Sequence, residues 1–209
     1  MKYLTQDEQK QLVRTVKETK GAERDYVIIE LLLNTGLRAS ELCAVNVGDV
    51  RNKSRLYVQP KAMKNGRGRF VPLNVRIQDI LRKWIAHKMA VRHESIEDIA
   101  PSFVSKGGRR ITRQDLTQAI IEKWMMRAGL TTTKDGNVMA LYSSHSLRHT
   151  CFKRMRERGV SLEVIQKIAG HKSLASTGIY TEATEQEVDE AVQMLSISPA
   201  RAERMAEGL

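Results

Sequence analysis

The sequence has few of the features that mark secreted, membrane-spanning or zinc-binding proteins. Its 209 residues include only two cysteines, Cys43 and Cys151, and neither belongs to a CxxC pair. They indicate no disulfide framework and no zinc site, and because each lies in a helix-like run we expect buried free thiols. No window approaches the roughly 18 consecutive apolar residues of a membrane span, and the N-terminus lacks the apolar core of a signal peptide. We expect a cytoplasmic protein with no membrane partner.

Acidic residues are almost missing from one part of the chain. The net charge is +11, and residues 51–92 hold twelve lysines and arginines against one acid, Asp79, so the rest of the chain is balanced. An ordinary solvated surface mixes the two signs. The stretch therefore favours a polyanionic partner over a plain solvated face, with nucleic acid ahead of an acidic membrane surface.

Helical periodicity dominates the remainder of the sequence. Thr5 and Glu8 form a capping box before the first apolar-periodic segment, and the second segment is apolar nearly all round, as is typical of a buried helix. Gly36 suits the left-handed end of that second helix. The predicted helices are residues 6–20, 23–34, 40–44, 75–90, 113–128, 145–158, 162–169, 174–180 and 185–195.

Short β-prone runs interrupt the helices. Residues 55–59 and 69–73 flank a glycine-containing basic turn, which predicts a small antiparallel hairpin, and a third strand is expected near residues 47–50. Residues 94–101 and 131–137 are predicted to be polar connections, the second with a turn at Asp135-Gly136-Asn137. With no repeat and no domain linker, we expect one mainly α domain with a small antiparallel β-sheet.

Two arginines stand in dense local motifs 110 residues apart, and a tyrosine follows the second. Arginine binds a phosphate through two parallel charge-assisted hydrogen bonds. A phenol beside such a site can attack phosphorus to form a covalent ester, and a positive field favours loss of its proton, whose ordinary pKa is about 10. The pattern indicates an enzyme that breaks DNA strands. The motifs are Thr35-Gly36-Leu37-Arg38-Ala39-Ser40-Glu41-Leu42, His145-Ser146-Leu147-Arg148-His149, Gly170-His171 and Tyr180.

In order and spacing, these motifs resemble the catalytic domain of tyrosine recombinases, the phage integrase family, over residues 4–195. The resemblance implies that Arg38 and Arg148 clamp the phosphate and that Tyr180 is the nucleophile. It implies that His145 assists proton transfer and that His171 hydrogen-bonds the phosphate.

The resemblance also assigns supporting roles. Glu41 matches the acid that orients the clamp, and Lys64, eight residues before Pro72, matches the general acid in preference to Lys61. His149 matches a packing position. No metal and no cofactor are implied. The residues expected to contact DNA are Lys61, Arg67 and Arg69.

The implied function is that of a site-specific DNA recombinase or integrase, which cleaves and rejoins strands through a 3′-phosphotyrosyl intermediate without ATP. Its partner would be double-stranded DNA, with four protomers on synapsed DNA, a monomer when free, and room for accessory DNA-bending proteins. Two alternatives are DNA relaxation like that of a type IB topoisomerase and a catalytically silent DNA-binding regulator on the same fold.

The resemblance carries an expectation about domains as well. Many family members have an N-terminal DNA-clamping domain, whereas here Thr5 already begins the catalytic domain. We therefore expect residues 1–209 to form a single catalytic domain without that N-terminal domain, in which residues 183–209 are a C-terminal helix and tail that dock on a neighbouring protomer.

Overall fold

The computed structural model describes residues 2–59 and 68–170, which are mainly helical, as predicted, with two small antiparallel hairpins. The predicted helices within these residues are all helical in the structure, and their ends shift by no more than two residues, but the predicted helix 113–128 is a π-helical segment followed by a short α-helix. The predicted helices 174–180 and 185–195 lie outside the described residues. In chain order the elements are α1 (Gln6–Glu18), α2 (Glu23–Thr35), α3 (Ala39–Ala44), α4 (Val47–Val50), β1 (Arg55–Val58), β2 (Arg69–Pro72), α5 (Val75–Ala90), a π-helical segment (Asp115–Glu122), α6 (Lys123–Arg127), β3 (Thr131–Lys134), β4 (Asn137–Ala140), α7 (Ser144–Glu157) and α8 (Leu162–Ala169).

Helix α2 forms the centre of the core, as its apolar pattern predicts. Every residue from Val27 to Leu33 is buried, and α2 contacts α1, α5 and α7. A fully buried leucine or isoleucine contributes about 1.5–3 kcal/mol relative to an exposed one. Because α2 is packed on several sides, its C-terminus is held in place. Gly36 follows it in a left-handed conformation with φ 62°.

The first hairpin confirms the predicted pairing of residues 55–59 with 69–73. Strands β1 and β2 are antiparallel, with Leu56 opposite Val71 and Val58 opposite Arg69. Leu56, Val58 and Val71 face the core, whereas Phe70 on the alternate face is exposed. Because successive strand residues point to opposite faces, Arg69 shares the inward face with Val71.

The predicted third strand near residues 47–50 is wrong, since these residues form the short helix α4. The Asp49 carboxylate accepts a hydrogen bond from the Asn46 backbone N–H at 2.8 Å and so caps the first turn. Val47 and Val50 are both buried. A spacing of three residues places both side chains on one side of a helical turn, whereas in a strand they would point to opposite faces.

The segment 131–137 is a hairpin strand and turn rather than the plain polar connection that was predicted. Strands β3 and β4 pair with Thr131 opposite Ala140, and β-branched threonines suit an extended chain. The predicted turn is present: Asp135 and Gly136 have φ of 51° and 76°, the pattern of a two-residue hairpin turn. The hairpin is largely exposed, and β4 contacts α6.

Helices α7 and α8 share a small apolar cluster of their own, which includes Phe152 and Ile165. Helix α8 contacts both α7 and β2, so its C-terminus lies beside the first hairpin. Cys43 and Cys151 are buried free thiols, as predicted, and burial raises their pKa to about 11 and about 12.

In the described part of the chain, no helix has both the length and the apolar composition needed to cross a membrane. The same residues contain no group of three or more His, Cys, Asp or Glu side chains arranged to hold a metal ion.

Candidate active site

Five of the predicted site residues lie in the described structure, and four of them converge. Arg38, Glu41, Arg69 and Arg148 meet at the C-terminus of α8, and His145 lies at the start of α7. The other predicted residues lie outside the described residues: Lys61, Lys64, Arg67, His171 and Tyr180.

Arg38 and Glu41 are placed by the turn that joins α2 to α3. Arg38 is extended (φ −70°, ψ 155°) and immediately precedes α3, so the Glu41 carboxylate reaches back to its backbone N–H at 2.8 Å. The same carboxylate accepts from Arg38 Nη1 at 2.9 Å. The Glu41 side chain is fully buried, whereas that of Arg38 is 35% exposed. Among the described residues, Nε and Nη2 of Arg38 have no acceptor, so one edge of this guanidinium is open to a ligand.

Arg69 is the second arginine on Glu41. Its Nη1 and Nη2 donate to the two carboxylate oxygens at 2.7 and 2.9 Å, and its side chain is only 9% exposed. Burial raises the pKa of Glu41, but hydrogen bonds and charge from Arg69, followed by those from Arg38, outweigh it and lower the pKa overall. Glu41 is therefore ionised at neutral pH. We call Glu41, Arg38 and Arg69 the Glu41 cluster.

Arg148 is held in a different way, by backbone carbonyls. Its Nη1 donates to the Gly36 carbonyl and its Nη2 donates to the Ala169 carbonyl at 2.9 Å. The guanidinium carbon lies 4.7 Å from the centre of the Phe152 ring, a cation–π contact. The residue is 2% exposed, so Arg148 joins the end of α2 to the end of α8 from within the protein.

The last carbonyls of α8 explain why the arginines gather there. The final four carbonyls of a helix lack partners within the helix, and the helix dipole makes this end negative. Arg69 Nε donates to Ile168 O at 2.8 Å, and Ala169 O accepts from both Arg38 Nη1 at 3.3 Å and Arg148. Gly170 then ends the helix in the left-handed conformation. The arginines thereby fix the point from which the chain continues into His171.

His145 lies close enough to this cluster to be affected by its charge. Partial desolvation by its neighbours lowers the pKa of His145 although the residue is exposed, and the positive charges of Arg148 and Arg38 lower the pKa further. Its ring is 4.2 Å from that of His149 in an edge-to-face contact. His149 is buried, as its predicted packing role requires, whereas His145 is exposed. At neutral pH His145 is neutral and able to accept a proton.

Among the described residues, the site has an excess of positive charge. Three guanidiniums meet one carboxylate here. By contrast, most of the described basic residues of the stretch 51–92 are paired with acids, often from distant elements, so the described part of this stretch is not one continuous basic face. These residues are Arg51 with Asp98, Arg69 with Glu41, Arg76 with Glu30, Arg82 and Lys83 with Asp79, and Lys88 and Arg92 with Glu94.

Sequence reasoning missed the contacts that hold the site together. It placed Arg69 among the residues expected to contact DNA, which stays a prediction, but it did not show that Arg69 donates to Glu41 and to the Ile168 carbonyl. The alternation of β2 was the available signal, because the buried Val71 two residues later shares its face. Nothing in the sequence indicated that the carbonyls of Gly36 and Ala169 would hold Arg148.

Comparison with known proteins shows the family of the chain. The sequence model described as the phage integrase family matches residues 2–187, and the chain belongs to that family. The chain is 33% identical to tyrosine recombinase XerC of Thermodesulfovibrio yellowstonii over 184 residues, which cover 86% of this chain and 57% of that protein. It is 29% identical to tyrosine recombinase XerA of Pyrococcus furiosus, over 94% of this chain and 62% of that protein.

Solved structures show the same fold. A crystal structure of XerA recombinase superimposes with a TM-score of 0.73 and 26% identity, over 92% of this chain and 64% of that one. The Tn1549 transposon integrase in complex with transposon right end DNA gives a TM-score of 0.74 at 20% identity, over 93% of this chain and 66% of that one. The chain spans about half to three fifths of the length of the first curated relatives it matches.

Proposed function

We propose that this chain is the catalytic region of a site-specific DNA recombinase, which cuts and rejoins one DNA strand at each active site through Tyr180. The observation that carries the proposal is the open edge of Arg38 beside Arg148, at a site where guanidiniums outnumber carboxylates. Such a site binds a phosphodiester, and its excess positive charge can stabilise the negative charge that develops on the non-bridging oxygens. The tyrosine recombinases among its relatives support the same chemistry.

In the proposed reaction the Tyr180 oxygen attacks phosphorus, and the bond from phosphorus to the 5′ oxygen breaks. The non-bridging oxygens gain negative charge in the transition state, which Arg38, Arg148 and His171 stabilise more than they stabilise the bound ground state. Tyr180 gives up its proton as it attacks. His145 is available to accept this proton because its lowered pKa keeps the imidazole unprotonated at neutral pH.

The departing 5′ oxygen needs a proton, which we assign to Lys64. A lysine combines a long, flexible side chain with an ammonium pKa that its surroundings can tune. The product is a 3′-phosphotyrosyl link and a free 5′ hydroxyl, so the energy of the phosphodiester bond is kept. Attack by the 5′ hydroxyl of another strand completes recombination without ATP.

Double-stranded DNA is the proposed partner. Solved relatives with the same fold include the XerH site-specific recombinase bound to its difH substrate, in a pre-cleavage complex. For this chain we propose a monomer when free of DNA that assembles as four protomers on synapsed DNA, with accessory DNA-bending proteins as further partners. We propose a single catalytic domain in which residues 183–209 dock on the neighbouring protomer.

The test is a covalent trap. A pool of nicked duplexes with randomised arms releases a short 5′-hydroxyl fragment after cleavage, so a covalent adduct accumulates and its DNA can be sequenced. The wild-type chain should form an adduct that survives denaturation, and Tyr180→Phe should form none. Equal adduct from both proteins would refute Tyr180 as the nucleophile, and no adduct from the wild type would favour a silent DNA-binding regulator.

Two further measurements separate the remaining alternatives. Relaxation of supercoiled plasmid without preference for the recovered sequence would favour activity like that of a type IB topoisomerase. A 5′-phosphorothiolate duplex should restore cleavage to Lys64→Ala, because sulfur departs without a proton. Restoration of Lys61→Ala instead would transfer the general-acid role to Lys61.

A further inference from the structure

Arg69 joins three parts of the candidate site while remaining almost covered. It extends from the start of β2, donates to both oxygens of Glu41 on α3, and donates through Nε to Ile168 O on α8 at 2.8 Å. Its side chain is 9% exposed, against 35% for Arg38. Arg69 is therefore built into the protein, whereas Arg38 presents an edge to solvent.

We infer that Arg69 is a positioning residue for strand cleavage, which acts on Arg38 through the carboxylate they share. The inference rests on the proposed function and adds to it a residue with no direct contact to the substrate. Arg69 fixes the orientation of Glu41, and Glu41 fixes Arg38.

Arg69 fixes the orientation of the Glu41 carboxylate. The two parallel bonds of 2.7 and 2.9 Å from Arg69 set the plane of the Glu41 carboxylate. Oε1 of that carboxylate also accepts from Arg38 Nη1 at 2.9 Å, so a rotation of the carboxylate would move or release Arg38. A displacement of about 1 Å in a reacting or positioning group can lower a rate about 10²-fold.

Arg69 also affects the positive charge that Arg38 presents to a ligand. A single carboxylate paired with a single guanidinium would neutralise Arg38. Because Glu41 is shared between two guanidiniums, Arg38 keeps part of its positive charge for a ligand. Loss of Arg69 would therefore leave the full charge of Glu41 on Arg38, which would keep its contact with the bound phosphate but stabilise the developing phosphorane charge less.

The chain contains a matched control in which the same contacts serve structure alone. Arg24 donates through Nε and Nη2 to the buried Asp25 at 2.9 and 2.7 Å and through Nη1 to the Val104 carbonyl at 2.7 Å. Asp25, like Glu41, has a second cation, Lys123, at 2.7 Å, and it also accepts from Trp124. We call Asp25, Arg24, Lys123 and Trp124 the Asp25 cluster.

The experiment compares Arg69→Gln with Arg24→Gln in the full chain, on a nicked duplex recovered from the covalent trap. Single-turnover cleavage is measured below the unfolding temperature of both variants. Both substitutions remove bonds to a buried carboxylate and to a carbonyl, so both should lower the melting temperature. Only Arg69→Gln should slow cleavage, by about 10- to 100-fold.

Three readouts separate positioning from other roles. Adding Arg69→Gln to Glu41→Gln should slow cleavage no further than Glu41→Gln alone, because both act through one carboxylate. A 5′-phosphorothiolate duplex should not rescue Arg69→Gln, since the defect lies at Arg38 and not at the leaving group. The slope of log K for this duplex against log salt should stay unchanged, whereas loss of a phosphate contact would reduce it by about 0.9.

The inference fails if Arg69→Gln cleaves at the rate of Arg24→Gln, if phosphorothiolate restores it, or if the salt slope falls. If Arg69→Gln does not fold, Arg69→Lys carries the test. Lysine keeps the charge but cannot make two parallel bonds, so its cleavage should be slower than that of Arg24→Gln and faster than that of Glu41→Gln. The wild type separates the two proposals, because a wild type that forms no adduct refutes the proposed function itself.

Discussion

Two buried carboxylates in the described part of the chain, Asp25 and Glu41, each hold two cations, and of these two only Glu41 belongs to a site with an open edge. In the Asp25 cluster, Arg24 donates to Asp25 and to the Val104 carbonyl, and the Lys123 ammonium lies 4.3 Å from the centre of the Trp124 ring. In the Glu41 cluster, Arg38 keeps two nitrogens without an acceptor among the described residues, and Arg148 lies beside it.

The comparison shows which signals point to function. Burial raises the pKa of both carboxylates, and their cationic partners reverse the effect so that both pKa values end below the ordinary range. Burial and the pKa shift are therefore common to both clusters. What differs is a third guanidinium, that of Arg148, beside the Glu41 cluster, together with the two Arg38 nitrogens that have no acceptor among the described residues.

The largest expected effect is on the cleavage rate, and it comes from replacing the exposed cation of each cluster. Arg38 and Lys123 have similar side-chain exposure, 35% and 39%. Arg38→Ala removes a donor to the transition state and should lower single-turnover cleavage by about 10²- to 10³-fold. Lys123→Ala should cleave at the wild-type rate. Equal loss in both variants would mean that the Glu41 cluster has no special place in the reaction.

The next expected effect is on the free energy of unfolding, and it comes from the Asp25 cluster. Asp25→Asn leaves Arg24 and Lys123 without their counter-charge, and we expect unfolding in urea to become easier by about 2–3 kcal/mol. Cleavage per folded molecule should not change. Because the pKa of Asp25 is lowered by folding, its contribution is present above the unfolded pKa and lost as pH falls through the folded one. The difference from the wild type should therefore shrink in strong acid.

A glycine pair tests the backbone that supports Arg148. Gly36 and Gly21 both have positive φ, 62° and 78°, but a Cβ on Gly36 would lie 2.6 Å from the Phe152 ring, and one on Gly21 would meet nothing within 4 Å. Alanine at either position should cost about 1 kcal/mol of backbone strain. Gly36→Ala should cost about 1 kcal/mol more by displacing Phe152, and it should also slow cleavage because its carbonyl holds Arg148. Thermal unfolding and cleavage of the two variants measure both differences.

The elements that local pattern determines were predictable from the sequence. The apolar surface of α2, the left-handed Gly36 and the Thr5 capping box each act within a few residues, and the structure has all three. The errors fell on residues 47–50 and 131–137, where short runs fit more than one local structure until packing decides between them.

The contacts within the site could not be read from the sequence in the same way. Motif spacing named Arg38, Glu41 and Arg148, but Arg69 lies 28 residues from Glu41 and 99 from Ile168, and only the folded chain brings them together. A run of positive charge looked uniform because the acids that neutralise it, such as Glu30 and Asp98, lie outside it. Side-chain partners across such distances depend on tertiary packing.

The smallest expected effect is a shift in the pKa of His145. It tests whether the charge of the Glu41 cluster acts on this histidine while that of the Asp25 cluster does not. His145 has a lowered pKa because of partial desolvation first, then Arg148 and Arg38, so its neutral form persists below the ordinary value of about 6.5. Arg38→Gln should move this pKa up, although partial desolvation and Arg148 keep it below the ordinary value. Arg24→Gln should leave it in place, since Arg24 is not among its causes. Proton–carbon NMR of the five histidines, assigned with His145→Asn, measures the shift. If His145 is the proton acceptor, the acid limb of the cleavage rate must move with the same sign. An unchanged limb beside a shifted pKa would remove His145 from that role while leaving the arginines in theirs.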